Sequence, residues 1–283
     1  MTTISKIIDG KMYAGKLLRE IYPLSKGFLD NFNRKPCLTV ILVGDNPASK
    51  IYVKNKILTA EKYGIESKEI LLASDVLEVE LIHHISILNK DENVDGILVQ
   101  LPLPKHISEK KIINLINPSK DVDGFHPFNF GNLLMGDPKF IPCTPLGCLY
   151  ILKHEIEDIK GKNAVIMGRS NIVGKPMASL LLSSDCSVTI THSRTKNIQE
   201  HTRKADILIV AVGIPEMIDE KFIKPGAIVI DVGINKSESK TQDNANNKGV
   251  LVGDVKFEKV KKIAKKITPV PGGVGPMTIA CLM

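Results

Sequence analysis

The sequence predicts an α/β protein of two domains, on three observations. Short apolar runs alternate with helical patterns up to Ile116, and the alternation resumes at Ala164. The two blocks are separated by an irregular stretch rich in Pro and Gly, Asn117–Pro142. In the second block a glycine-bearing turn at Gly168 joins a strand to a helix. Alternation of this kind implies parallel sheets with helices on their faces. The length, 283 residues, agrees with about 150 residues per domain.

In the first block strands are predicted at Cys37–Val43, Ile65–Leu72 and Val94–Val99. Helices are predicted at Lys11–Phe32, Pro47–Lys62, Val76–Asn89 and Ser108–Ile116. The opening residues, through Gly10, read as a first strand. Asn117–Pro142 reads as a connector carrying function. The second block predicts strands at Ala164–Met167, Ser187–Thr191, Ile207–Val210 and Ala227–Asp231. Asn235–Lys248 is polar and reads as an exposed loop. A Lys-rich amphipathic helix is predicted across Val255–Ile267, and a short helix at Met277–Met283.

Composition narrows the function classes. The chain is 43% hydrophobic, ample for a core, and no run approaches the ~20 apolar residues of a membrane span. The start lacks a signal peptide's apolar stretch. A soluble cytoplasmic protein is expected. Five cysteines are scattered without a C-x-x-C pair, so reduced and mostly buried thiols are expected, with no zinc site. The net charge of +7 raises the question of nucleic acid. Its excess is dispersed lysine with few aromatics, unlike a nucleic-acid platform. A mildly cationic field suits a small anionic substrate.

Gly168-Arg169-Ser170-Asn171-Ile172-Val173-Gly174-Lys175-Pro176 follows the apolar run Ala164–Met167 and precedes a helix. Strand, glycine turn and helix offer backbone N–H groups to a phosphate. Ser170 stands where the second glycine of a G-x-G-x-x-G fingerprint would be. The next strand ends in Thr191-His192-Ser193-Arg194-Thr195. An acid there would bind a ribose and favour NAD; a guanidinium suits a phosphate. NADP is predicted, with Ser193 and Arg194 or Arg169 near the 2′-phosphate. The alternative is that both arginines are ordinary surface residues.

Asn46 and Pro47 open a helix as cap and first residue. Tyr52 and Lys56, four residues apart, share one of its faces. A lysine acts as a general base only where its charged form is disfavoured. Most helical lysines are merely solvated, and Lys50 and Lys54 stand close by. Gln100 closes the strand Gly96–Val99 before Pro102 and Pro104, where its amide can reach a ligand or satisfy loop backbone. Asp123 lies in the turn Asp121-Val122-Asp123-Gly124. It can bind paired N–H groups of a heterocycle, or form an Asx-turn. A calcium loop would need more oxygen ligands, so no metal is expected.

Together these segments resemble the bifunctional methylenetetrahydrofolate dehydrogenase/cyclohydrolase family, the FolD proteins. The carriers are Val43–Ser49 with Tyr52-Val53-x-x-Lys56, Gln100–Pro104, Asp121–Phe125, Gly168–Pro176, and Pro271–Thr278. The resemblance spans nearly the whole chain. It implies that methylenetetrahydrofolate is oxidised with NADP⁺ to the methenyl form, which water opens to 10-formyltetrahydrofolate.

Carried over residue by residue, Lys56 is the acid/base group of hydrolysis. Gln100 holds and tunes it, Tyr52 stacks on or hydrogen-bonds the folate, and Asp123 anchors the pterin. Gly168, Arg169, Ser170, Ser193, Arg194 and Ile234 meet the cofactor, and Gly272 and Gly273 pack close to the folate. The resemblance further implies a homodimer and a cleft between an N-terminal α/β folate-binding catalytic domain and a Rossmann-like NADP-binding domain. Residues 1–120 with 270–283 would form the first, 121–144 the connector, and 145–269 the second. Rival readings are a monofunctional dehydrogenase, a shikimate-type dehydrogenase and a basic nucleic-acid-binding protein.

Overall fold

The computed structural model describes residues 6–237 and 250–283. By internal contact the chain groups into two compact units, Gly15–Cys143 with Ile279–Met283, and Met1–Ala14 with Thr144–Thr278. These units differ from the functional bounds expected above by taking residues 1–14 and 270–278 together with 144–269.

The first unit contains α1 (Gly10–Phe32, from Gly15 onward), β1 (Cys37–Val43), α2 (Pro47–Lys62), β2 (Glu66–Leu72), α3 (Glu78–Lys90), β3 (Gly96–Val99), α4 (Glu109–Leu115) and α5 (Pro127–Met135). Its sheet is parallel, in the order β2-β1-β3. All seven residues of central β1 are buried, as a parallel strand covered on both faces requires. Leu38, Val40 and Leu42 pack with Val53 and Ala60 of α2. Cys37, Ile41 and Val43 face the cluster that includes Leu81, Ile85 and Ile112. Edge strand β2 carries Glu66, Lys68 and Glu69 outward, charges that discourage pairing with another chain.

The second unit contains α6 (Cys143–Glu155, from Thr144 onward), β4 (Asn163–Met167), α7 (Gly174–Leu182), β5 (Ser187–Thr191), α8 (Ile198–Thr202), β6 (Ile207–Val210), β7 (Ile228–Asp231), β8 (Asn235–Ser237), β9 (Val250–Val252), α9 (Phe257–Ile263), β10 (Lys266–Ile267) and α10 (Val274–Leu282, to Thr278). Its main sheet is parallel, in the order β10-β7-β6-β4-β5. β4 has β5 on one side and β6 on the other, so the chain changes direction of travel across the sheet there. In such sheets ligands bind at the carboxyl ends of the strands beside that switch point.

The structure departs from the sequence reading in several places. The opening residues form no strand among those described; Ile7 makes one parallel bridge to Ile267. The irregular stretch contains α5, and α6 follows it unforeseen. The Lys-rich helix stops at Ile263. Lys6 Nζ donates to the carbonyls of Lys261 and Lys262 at its end, at 3.4 and 3.2 Å, and Ile267 instead enters the sheet, fully buried, opposite Val229. The polar loop opens as β8, paired antiparallel with β9; its residues 238–248 lie outside the described residues.

Candidate active site

The first cluster is built on α2. Asn46 Oδ1 accepts from Ala48 N at 2.9 Å and Ser49 N at 3.2 Å, and Pro47 begins the helix. The buried face carries Ser49, Val53, Lys56 and Ala60. Three of these are small or apolar; Lys56 is the charged one, only 6% exposed. Its Nζ donates to Gln100 Oε1 at 3.1 Å. It also lies 6.0 Å from the centroid of the Tyr52 ring, at the outer range of a cation–π contact. Burial raises the Tyr52 hydroxyl above its ordinary value.

Gln100 follows β3, whose register against β1 sets its position: Val99 pairs Ile41, and Gln100 N donates to Ile41 O. Its Nε2 donates to Leu101 O at 2.8 Å. That bond fixes the amide so that its oxygen faces the lysine.

Asp123 is held by its neighbours. Asp121 bridges Ile97 of β3, and its carboxylate accepts from His126 N and Asn129 Nδ2, both at 2.8 Å. Gly124 has φ +67°, and a Cβ there would come within 2.9 Å of Ile141 and Pro142 backbone. The turn is thereby fixed on both sides of Asp123. Asp123 itself keeps a partly exposed edge. Loss of hydration still pushes its carboxyl up to about 6; the positive charge of Lys56 opposes the rise and Asp121 adds to it. The same electrostatic neighbourhood contains Cys143, whose thiol donates to Val122 O at 3.5 Å. Burial, then Asp123 and Cys281, hold that thiol well above its ordinary value. It remains protonated and is a poor nucleophile.

The second cluster lies at the carboxyl ends of β4, β5, β6 and β7. Gly168 has φ +116°, and a Cβ on it would sit 2.2 Å from Ala211 O. A Cβ on Gly174 would sit 2.3 Å from Gly168 O. Both glycines are required by close backbone approach. Ser170 does more than replace a glycine: its Oγ accepts from Val173 N at 3.1 Å and Gly174 N at 3.3 Å. The hydroxyl takes up two N–H groups at the entry to α7 from three and four residues upstream, so the turn differs in detail from the all-glycine fingerprint.

Arg169, Ser193 and Arg194 are exposed. The turn after β5 is closed by His192 N donating to Thr195 Oγ1 at 2.9 Å and Thr195 N donating to His192 O at 2.8 Å. Among the described residues neither guanidinium has a hydrogen-bond or ion-pair partner. Ile234, just after β7, is 50% exposed. A crowded glycine turn, a hydroxyl and two unpaired guanidiniums at the switch point fit a phosphorylated dinucleotide.

Gly272 and Gly273 belong to the same unit as this second cluster. Gly273 packs on Gly10, whose added Cβ would meet Gly273 O at 1.8 Å. The structure therefore brings Lys56, Tyr52, Gln100 and Asp123 into one unit, and the dinucleotide residues with Gly272 and Gly273 into the other. Asp121, which fixes the Asp123 turn, was passed over as a neighbouring acid. Its spacing to Asn129 across a Pro-initiated helix was the available signal.

Residues 8–123 match the family description "Tetrahydrofolate dehydrogenase/cyclohydrolase, catalytic domain", and residues 142–283 match its NAD(P)-binding domain. The chain belongs to the tetrahydrofolate dehydrogenase/cyclohydrolase family. Among curated members it is similar to the bifunctional protein FolD of Acetivibrio thermocellus, 53% identical over 279 residues, covering 99% of this chain and 94% of that one. Among solved structures it is similar to the bifunctional FolD of Campylobacter jejuni, with 48% identity, TM-score 0.91, and 98% and 95% of the two chains covered. It is also similar to the Trypanosoma brucei FolD solved with NADP cofactor and inhibitor, with 35% identity, TM-score 0.92, and coverage of 98% and 94%. The two family domains bracket the two clusters: the lysine cluster falls largely in the catalytic match and the glycine turn in the NAD(P)-binding match.

Proposed function

We infer that this chain is a bifunctional enzyme of tetrahydrofolate one-carbon metabolism. It oxidises 5,10-methylenetetrahydrofolate with NADP⁺ and hydrolyses the resulting methenyl compound to 10-formyltetrahydrofolate. The observation that supports the hydrolytic half best is the buried Lys56 amine, fixed by Gln100 at 3.1 Å.

Tyr52, Lys56, Gln100 and Asp123 are assigned to catalysis. Substrate binding is assigned to Tyr52 and Asp123, and by family resemblance to Gly272 and Gly273. A carboxylate at Asp123 accepts two N–H bonds from a pterin edge, as a planar heterocycle offers them. Tyr52 supplies an aromatic face beside the amine. In hydrolysis, oxygen from water bonds to the one-carbon bridge, one carbon–nitrogen bond breaks, and a proton is released overall. In its neutral form the Lys56 amine takes a proton from the attacking water and returns one to the departing nitrogen. Gln100 keeps Nζ in place for both transfers.

NADP⁺, when bound, supplies the acceptor for the hydride. The substrate's own nitrogen stabilises the developing cation, so the protein's part in that step is positioning. Gly168 lets the β4–α7 turn approach the dinucleotide, while Arg169, Ser193 and Arg194 offer charge and hydrogen bonds to a 2′-phosphate. Ile234 gives an apolar surface beside it. The functional division assigned is 1–120 with 270–283 for folate, 121–144 as connector and 145–269 for the cofactor. A homodimer in the cytoplasm is the assembly and location proposed. Light scattering reads the first directly: a dimer has twice the 31.1 kDa of the chain.

Lys56→Met tests the hydrolytic assignment. Decay of supplied methenyltetrahydrofolate should slow by about two to four orders of magnitude, the usual contribution of a positioned proton-transfer group. Undiminished hydrolysis would remove Lys56 from the mechanism.

A further inference from the structure

At the carboxyl ends of β6 and β7 two buried carboxylates interlock. Asp231 is 3% exposed and Asp254 is fully buried. Asp231 Oδ1 accepts from Gly233 N and Asp254 N, both at 3.0 Å, and Oδ2 accepts from Val255 N at 3.0 Å. Asp254 Oδ2 accepts from Val212 N at 2.7 Å and Gly213 N at 2.9 Å, and Oδ1 from Asn235 Nδ2 at 2.8 Å. Neighbouring glycines make room for them. A Cβ on Gly233 would lie 2.3 Å from Asp254 Oδ1, and one on Gly253 would lie 1.9 Å from Asp231 Oδ2. Each carboxylate thus fits into backbone that only glycine leaves open.

Two carboxylates are costly to bury side by side unless every oxygen is bonded. Here the bonds go to particular places. Asp254 ties the turn after β6, Val212–Gly213, to the segment after β7 through Asn235. Asp231 ties Gly233 in that same segment. Ile234 stands between the two attachments, half exposed at the ligand-binding end of the sheet.

We infer that Asp254, braced by Asp231, is a positioning residue for the nicotinamide cofactor: Asp254 holds Asn235 and Asp231 holds Gly233, so that Ile234 between them is presented in one fixed geometry. This rests on the reading above that NADP binds at these strand ends. Asp254 does not touch the cofactor; it sets the backbone that does.

The test measures NADP affinity directly, by isothermal titration calorimetry, beside hydrolysis of supplied methenyltetrahydrofolate. Asp254→Asn keeps the shape but presents an amide donor where the native group accepts from three donors. The dissociation constant for NADP should rise by about tenfold, as for one buried polar group left unsatisfied. Hydrolysis, whose acid/base group Lys56 lies in the other unit, should stay near the unaltered rate. Ile234→Ala should weaken NADP on its own. In that background Asp254→Asn should add little, because both act through the same contact.

Unchanged NADP affinity in Asp254→Asn, or full additivity with Ile234→Ala, would overturn the inference. So would an equal fall in affinity and hydrolysis, the mark of a general loss of structure. If Asp254→Asn fails to fold, Asn235→Ala decides, since it removes one partner at a less buried position. A rise of about threefold in the dissociation constant supports the clamp, and no rise overturns it. Failure of the unaltered protein to bind NADP would instead overturn the cofactor reading itself, and the clamp with it.

Discussion

The Lys56 cluster and the Asp231–Asp254 pair are both buried polar groups, and they are bonded in opposite ways. Each aspartate accepts from three donors on fixed backbone or amide groups. Lys56 has three N–H groups to give, and among the described residues one hydrogen bond is made, to Gln100. A carboxylate with both oxygens bonded to fixed groups has little left for a ligand; it defines geometry. An under-bonded buried amine, with an aromatic face beside it and an acid nearby, retains capacity for a substrate. The degree of bonding therefore distinguishes the groups proposed as scaffold from those proposed for chemistry. That contrast assigns Asp231 and Asp254 to positioning, although their acid side chains at strand ends would suit catalysis on composition alone.

Substitutions can sharpen or break this comparison. The largest structural effect is expected at the crowded glycine turn. Gly168→Ala places a Cβ 2.2 Å from Ala211 O at φ +116°, so unfolding stability should fall by about 2–4 kcal/mol and NADP binding with it. A chemical melt that left both unchanged would show that the turn is not scaffold.

Asp123→Ala should next weaken folate binding by about ten- to a hundredfold, the loss of a charge-assisted pair of bonds. Stability should move little or rise, because a poorly hydrated carboxylate is removed. A folate dissociation constant equal to that of the unaltered protein would leave Asp123 as a turn residue only.

The raised carboxyl of Asp123 also gives a pH signature. Its value moves from 3.8 to about 6 on folding. The folded state therefore holds the proton more tightly, and the stability cost of ionising it develops as pH rises from the lower value to the higher. Asp123→Asn should be more stable than the unaltered protein at neutral pH, with the gap closing on acidification. Folate binding has the opposite sense. It should weaken as pH falls through about 6, where the acceptor becomes a donor. Parallel pH dependence of binding in the unaltered protein and Asp123→Asn would contradict the carboxylate's role.

The smallest effect is expected at the cap. Asn46→Ala removes the bonds to Ala48 N and Ser49 N and should cost about 1 kcal/mol in denaturant melts. Hydrolysis should fall only slightly, since Lys56 lies more than two turns further along α2.

Much of this was legible in the residues, and for identifiable reasons. The nearly all-apolar run of β1, broken only by Thr39, and the all-apolar run of β6 mark central parallel strands, and Asn46-Pro47 marks the start of α2 to the residue. Lys56 with Gln100 was legible through motif order, yet their meeting 44 positions apart required the β1–β3 register. The Asp231–Asp254 pairing was not legible. A carboxylate at a strand end looks the same whether it meets a ribose or a neighbouring backbone, and its donors come from 23 and 42 positions away. α6 is hard to read from the residues because Thr144-Pro145 and Gly147 resemble turn signals. Gly147 in fact allows close packing, since an added Cβ would lie 2.9 Å from Met277 Cβ. The Lys-rich helix is shorter than its pattern suggests because Ile267 fits a helical stripe and a buried strand equally well.

The central claim is that the Lys56 amine serves hydrolysis rather than hydride transfer. The most direct measurement follows Lys56→Met with methylenetetrahydrofolate and NADP⁺ in one cuvette, reading NADPH and the methenyl compound at separate wavelengths. The account predicts that NADPH still forms and that the methenyl compound accumulates in step with it. A methenyl signal that stays low while NADPH rises would mean that hydrolysis proceeds without this amine, and would contradict it.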